Sequence, residues 1–450
     1  MSELNLTNVD GNSRGQWKST FGFVMAAAGS AIGLGNLWKF PYLAGKNGGG
    51  AFVIIYLSLI IIVGFSLVLA EMSVGRKGQT SAYGSFKKIN GKFGFIGMMG
   101  VITSFIILSY YSVIGGWILK YIGSYFLGGI PGNESGNYFT SLISSPLEPL
   151  GYHFIFIFVT ALIVLGGIEK GIERASKFMM PALFVLLIFV SIRSVTLPGA
   201  MEGIKFFLKP DFSKITLDTF VAALGQVFFS LSLGMGVMVT YGSYLKKDGN
   251  MPKDSLTIPF IDTLIAMLSG FAILPAVFAL GFEPGQGPGL MFVTLPAVFD
   301  KMPMGSFFGI IFFILVLFAA ITSSISLLET SVSLVVDQFK LGRIKAVILL
   351  GVVAFLLGVP SSLANGVLGN VHIFGKNFFD LMCFITDNIL LPSGGLLLCL
   401  FVGYVWGPKE ALKEITNNHN ISFKLGKLWI FGIRYIAPVM LGIVLINCLK

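Results

Sequence analysis

Apolar stretches about 20 residues long recur from one end of this chain to the other, separated by short polar segments. Hydrocarbon offers the backbone no partner, so a stretch of that length survives in a bilayer only as a helix that satisfies its own amides and carbonyls. The alternating pattern of barrel strands is absent. The expected fold is therefore an all-α polytopic membrane protein. Eleven spans are predicted, near Phe21–Tyr42, Ala51–Val74, Phe95–Leu127, Tyr152–Ile168, Lys177–Leu197, Leu217–Tyr241, Leu256–Phe282, Ser306–Asp337, Arg343–Val359, Phe379–Trp406 and Leu428–Leu449. Composition agrees: 55% of residues are hydrophobic and 12% charged, against about a quarter charged in a soluble chain.

The net charge of +10 raises nucleic acid as a partner, and the positions of the basic residues remove that reading. Most of them fall in alternate loops, among them Arg76, Lys77, Lys87, Lys88, Lys170, Arg174, Lys246, Lys247, Lys253, Lys409, Lys424 and Lys427. That bias sets orientation in a cell (inner) membrane with the N-terminus cytoplasmic. An odd number of spans puts the C-terminus on the extracytoplasmic side. No cleavable leader is read at the start, because MSELNLTNVDGNSRGQ is polar and runs into a full span. Cys383, Cys399 and Cys448 have no redox or metal spacing, and His153, His372 and His419 are scattered. No nucleophile, base or metal cluster accumulates within the spans, so the chain does not read as an enzyme.

Two spans break the rule that membrane helices are uniformly apolar. Span one contains GSAIGLGNLWKFP, Gly29 to Pro41, and span six reads QVFFSLSLGMGVMVTYGSY, Gln226 to Tyr244. Each sets small polar residues beside paired glycines at mid-membrane: Ser30, Gly33 and Gly35 in one, Ser230, Ser232, Gly234 and Gly236 in the other. A glycine costs about 1 kcal/mol against alanine in a helix interior, and a helix that stops in lipid strands several polar groups. Such breaks persist around a cavity whose contents satisfy them: half-helix N-termini suit a carboxylate, free carbonyls and hydroxyls suit sodium. Gly29 and Gly33 also form a GxxxG pair, which serves close packing, but two breaks at matching places in two halves favour a midplane site. An ion channel is the rival class, and no filter motif repeats around an axis.

At these residues the chain resembles the neurotransmitter:sodium symporter family. The string WKSTFGFVMAAAGSAIGLGNLWKFPYLAGKNGGGAF, together with FFSLSLGMG and AAITSSIS, is similar to its bacterial amino-acid transporters of the leucine-transporter fold, sodium-coupled tyrosine transporters in particular. That fold is the worked example of inverted repeats in transporter architecture. The resemblance implies a 5+5 inverted repeat with helices 1 and 6 unwound. The expected divisions are a cytoplasmic tail (1–17), a first repeat (18–197), an extracellular linker (198–216), a second repeat (217–406), a cytoplasmic loop (407–427) and helix 11 (428–450). It implies sodium-coupled import of tyrosine or another aromatic amino acid, or of a broader hydrophobic set, with two co-transported Na+ ions. Substrate, sodium and the bilayer are its partners, with no nucleic acid and no obligate protein partner.

The resemblance also assigns residues. The first sodium site takes the Ala31 carbonyl, Asn36, Ser230 and Asp262; the second takes the carbonyls of Gly29, Ile32 and Ala319 with the hydroxyls of Thr322 and Ser323. Oxygen ligands of this kind suit a hard cation, although hydroxyls within a helix also bond their own preceding carbonyls. Substrate is assigned to Ser30, Ala31, Gly33, Leu34, Gly35, Ile107, Tyr111, Phe229, Ser230, Ser232, Met235, Ser323 and Leu327. Met235, a flexible thioether that adapts to rings, is the reason for expecting an aromatic substrate. The chloride site of chloride-dependent members corresponds to Tyr56, Gln226, Ser230 and Asp262. An acid at the last position carries the negative charge itself, so transport is expected to be chloride-independent. A lone carboxylate in an apolar span costs about 2.5 to 3.5 kcal/mol on insertion scales, which makes Asp262 functional by default. Proton antiport on the empty return step is a second expectation. Lys39 is the outer-gate cation with Asp380 as its partner and Asp387 as the alternative, while Arg14, Trp17, Tyr244 and Asp337 resemble the inner gate. Glu71 and Glu329 are acids within spans two and eight, the former expected to prop the unwound part of span six.

Overall fold

The computed structural model describes residues 15–282 and 288–448, and among them it is helical, without a β-strand. Among the described residues nine helices are long and apolar enough to cross a membrane, ten if one bent pair is counted as a span. The bent pair comprises α1 (Thr20–Ala31) and α2 (Gly35–Lys46), which meet at 53°. The nine are α3 (Gly50–Gly78), α4 (Gly91–Phe126), α5 (Glu148–Leu165), α6 (Gly167–Val195), α9 (Met251–Ala279), α10 (Gly305–Phe339), α11 (Arg343–Leu363), α12 (Phe378–Val405) and α13 (Gly426–Cys448). Between α6 and α9, after a short helix at Ala200–Leu208, lie α7 (Leu217–Ser230) and α8 (Val237–Gly242), separated by residues 231–236.

Side chains at the helix starts explain where several of them begin. Ser19 accepts the Gly22 amide at 3.0 Å, Asn250 the Lys253 amide at 3.2 Å and Asn377 the Asp380 amide at 2.8 Å, each satisfying one of the amides a helix start leaves open. One expected loop is helical instead. Residues 169–176, read as a cytoplasmic connection, continue α6, because the chain reverses in the tight turn Gly166–Gly167, where Gly167 adopts φ +74°.

The unbroken helices α4, α5, α10 and α11 form a tightly packed wall built on small residues. A side chain at Gly115 would fall 2.5 Å from the Phe156 ring, and one at Gly358 would fall 2.3 Å from the Ser109 carbonyl. Polar pairs cross this wall: Thr160 with Ser324 at 2.8 Å, and Ser112 with the buried His153 at 2.8 Å. The broken helices lie against its inner face, α1 touching α6, α9 and α10 and α8 touching α3 and α10. That placement brings both breaks to one point.

Candidate functional site

The first break spans residues 32–34. Ile32 is extended (φ −77°, ψ 97°), and its amide still bonds the Ala28 carbonyl at 2.7 Å. Beyond it the Gly33 amide donates to Asn36 Oδ1 at 3.2 Å and the Leu34 amide to the Tyr111 hydroxyl at 3.3 Å. The Ser30 carbonyl accepts from Ser232 at 2.9 Å and Ser323 at 3.2 Å, and the Gly29 carbonyl from Ser323 at 3.5 Å. Every stranded group named here is met by a neutral side chain.

The second break needs three left-handed residues in six: Ser232 (φ +52°), Gly234 (φ +76°) and Gly236 (φ +69°). A side chain at Gly234 would also lie 2.5 Å from the Leu391 carbonyl, so position and conformation both demand glycine. Glu71, buried on α3, accepts the Gly234 amide at 2.7 Å, and Ser104 on α4 donates to the Met235 carbonyl at 2.6 Å.

Where the breaks meet, a small cavity is lined by Ser30, Ala31, Gly33, Gly35, Ile107, Tyr111, Phe229, Ser232, Met235, Ser323 and Leu327. All eleven belong to the residues assigned to substrate from sequence; Leu34 reaches the site through its amide, and Ser230 lies one layer behind. The free volume is about 20 Å³, on the order of one water.

Behind the cavity sits the Asp262 carboxylate, fully buried. Ser230 donates to it at 2.8 and 2.9 Å, Asn36 Nδ2 at 2.8 Å and the Tyr56 hydroxyl at 3.4 Å. Gln226 stands one step away, its Nε2 on the Gly35 carbonyl at 2.9 Å and its Oε1 without a partner. Of the residues named for the first sodium site and for the chloride position, Asn36, Ser230 and Tyr56 thus bond this single acid. At the second sodium set, Gly29 faces Thr322 closely enough that a side chain there would lie 3.1 Å from its Cβ. Thr322 bonds its own helix, at Phe318 (2.9 Å) and Ala319 (3.1 Å), whereas Ser323 reaches across to α1.

Lys39 pairs with Asp387 at 3.1 Å and lies 4.6 Å over the ring of Phe229, which lines the cavity. The expected partner, Asp380, is not the one used. It is exposed in the first turn of α12, two helical turns from Asp387, and lines the 630 Å³ vestibule outside this pair. On the other side Trp17 donates to the Tyr241 carbonyl at 3.0 Å and packs edge-on against Tyr241 and Tyr244. The Tyr244 hydroxyl bonds Glu329 at 2.7 Å, and Arg343 pairs with the same carboxylate at 2.5 Å. Asp337 accepts from Thr80 at 3.0 Å and the Ser81 amide at 2.6 Å. Arg14 lies outside the described residues.

Sequence reasoning passed over Ser104, Ser326 and Arg343. Ser326 bonds Ser30 at 2.6 Å, and Arg343 neutralises the buried Glu329. A serine inside a helix gives no signal beyond its default intrahelical bond, and Arg343 reads as one more basic residue at a span end.

Two helices interrupted at one point, their backbone turned toward a small, mostly apolar cavity, with the Lys39–Asp387 pair on one side and Trp17 with Tyr244 on the other, are the arrangement of a membrane transporter. The chain belongs to the sodium:neurotransmitter symporter family, whose sequence profile matches residues 14–145 and 150–450. An uncharacterized sodium-dependent transporter of Bacillus subtilis, YhdH, is 45% identical over 96% of this chain and 97% of its own length. A sodium-dependent dopamine transporter of Caenorhabditis elegans is 27% identical over 95% of this chain and 79% of its own. The crystal structure of MhsT in complex with L-phenylalanine superposes with a TM-score of 0.90 at 45% identity, covering 97% of this chain and all of that one. The protein is accordingly a sodium-dependent symporter and not an enzyme, and sodium is its co-transported ion.

Proposed function

We propose that this chain imports an aromatic amino acid, tyrosine foremost, with two sodium ions and without chloride. The observation that carries this reading is the cavity at the crossing of the two breaks, where backbone amides and apolar walls face each other. The substrate carboxylate is placed at the Leu34 amide and the Tyr111 hydroxyl, already 3.3 Å apart. Its ring is placed among Ile107, Phe229, Met235 and Leu327, where the thioether adapts to aromatic shape. MhsT, similar along its whole length, holds L-phenylalanine.

Sodium replaces hydrogen bonds that the protein makes with itself. At the first site Asn36 turns its amide oxygen inward, and Ser230, Asp262, the Ala31 carbonyl and the substrate carboxylate complete the set. At the second, Thr322 and Ser323 exchange their bonds to Phe318, Ala319 and Ser30 for the ion, joined by the carbonyls of Gly29, Ile32 and Ala319. Asp262 supplies the fixed negative charge beside the first ion. The contracted cavity has to widen for an aromatic ring, and the movable parts are Phe229 and the Lys39–Asp387 pair that covers it. Opening alternates with release of Trp17, Tyr244 and the Glu329–Arg343 pair on the other side. With α7 and α8 taken as one interrupted span and α1 with α2 as another, the chain has eleven spans, residues 18–197 and 217–406 being inverted halves. The Trp17 side faces the cytoplasm in this reading, which the positive-inside bias of the basic loops supports.

The test is uptake of radiolabelled tyrosine into proteoliposomes under an inward sodium gradient, in chloride and in gluconate. Accumulation that needs sodium, ignores the anion and is displaced by phenylalanine and tryptophan before glycine is expected. Preference for a non-aromatic amino acid would remove the role given to Met235, and dependence on chloride the role given to Asp262.

A further inference from the structure

Away from the transport site, an apolar cavity opens sideways toward the bilayer. It has 580 Å³, the scale of a small-molecule site, and lies between α3, α9 and α13. Ile61 (70% exposed), Phe260 (67%) and Leu428 (68%) form its lips, and Trp429, Ser66 and Thr263 lie deeper. Ser66 is satisfied within its helix at 2.8 Å, and the Trp429 indole donates to the Ser66 carbonyl at 3.0 Å, which leaves the buried Thr263 hydroxyl as the lining side-chain group without a partner among the described residues. A void in hydrocarbon forfeits the dispersion contacts of its walls, and the material at hand to restore them is an acyl chain.

The end of the groove names the headgroup. The α9 residues lining it, Leu256, Pro259, Phe260 and Thr263, form one helical stripe, and Lys253 stands one turn below Leu256 on that stripe. On α13, Lys427 precedes Phe431 by one turn, and Lys424 adjoins the lining residue Leu425. All three lysines are exposed and take part in no ion pair among the described residues. The acids of the neighbouring loop are already engaged, Glu414 with Arg76 at 3.0 Å and Glu410 with Lys413 at 2.6 Å. Asp254, buried beside Lys253, offsets part of this charge; the three exposed lysines at the polar end of a lipid-facing groove still leave a net positive site at headgroup level.

We propose that this groove binds one anionic phospholipid, with an acyl chain between α3, α9 and α13 and the phosphate on Lys253, Lys424 and Lys427. Thr263 and Asp262 are consecutive, so the bound chain supports the outer face of the helical turn whose inner face carries the acid of the first sodium site.

Trp429 serves as the probe. Delipidated full-length protein in detergent micelles is titrated with phosphatidylglycerol or phosphatidylcholine bearing the same brominated chains, and quenching of Trp429 is isolated by subtracting the Trp429→Phe variant. Saturable quenching is expected, with phosphatidylglycerol half-saturating roughly tenfold or more below phosphatidylcholine at low salt. The preference should vanish in the Lys253→Gln, Lys424→Gln, Lys427→Gln triple variant, whose sodium-driven uptake shows that it is folded. Filling the groove with Ile61→Phe and Leu428→Phe should abolish quenching by both lipids. Equal half-saturation by the two lipids, a preference that survives in the triple variant, or quenching that survives in the filled groove would overturn the proposal. So would a filled variant that changes only the oligomeric state on gel filtration, which would make the face a contact between copies of the chain.

Discussion

The two breaks do the same thing to a helix by opposite means. The one between α1 and α2 is three residues long, contains no left-handed residue, and hands its stranded groups to hydroxyls and an amide that can turn away. The one between α7 and α8 is twice as long, requires three left-handed residues, and is held by the buried acid Glu71 and by Ser104. Neutral partners with rotatable bonds exchange readily for an ion or a carboxylate, whereas a buried carboxyl on a backbone amide is expensive to remove. On the proposed function, the first break therefore offers its backbone to cargo, and the second is a preset frame against which cargo is measured.

The largest expected effect comes from dismantling the frame. Glu71→Ala leaves the Gly234 amide buried without an acceptor, at a cost of about 1 to 3 kcal/mol. Uptake should be lost, with a lowered thermal midpoint in detergent; Glu71→Gln, which keeps an acceptor, should recover part of both. Next comes the charge behind the first break. Asp262→Asn should cut sodium-driven uptake at least tenfold in gluconate and regain a good part of it in chloride, read in paired anion-replacement assays. Met235→Phe alters the surface of the frame that faces the substrate and should leave sodium dependence intact. Its signature is a shift of the tyrosine-to-leucine competition ratio by roughly tenfold toward leucine, the range that one-group differences in apolar pockets span. Smallest is Ser326→Ala, which removes the 2.6 Å bond to Ser30 and should weaken sodium affinity within about 1 kcal/mol, measured as the sodium concentration for half-maximal uptake.

Much of this architecture was legible because a bilayer imposes length and composition on each span, and because glycines and serines at mid-membrane have few other uses. The eleven cavity residues coincide with positions named from the family resemblance in spans one, three, six and eight. Geometry that the hydrophobic pattern does not encode was less accessible. Lys39 and Asp387 both sit in turns where the helix takes in an extra residue: the Phe40 amide bonds Gly35 and the Leu391 amide bonds Thr386, each five residues back. Such a bulge rotates every later side chain without changing the apolar run, which is why the sequence favoured Asp380 and kept Asp387 only as the alternative. The continuous start of α6 was missed for a related reason, since charged residues at a membrane edge fit a loop and a solvated helix end equally well.

Amide hydrogen exchange of the two breaks separates them most directly. Sodium with tyrosine should strongly slow exchange in peptides covering residues 28–38 and leave those covering 230–240 nearly as slow as they already are. Equal protection of both segments, or protection confined to the second, would contradict the assignment of the first break to cargo and the second to the frame.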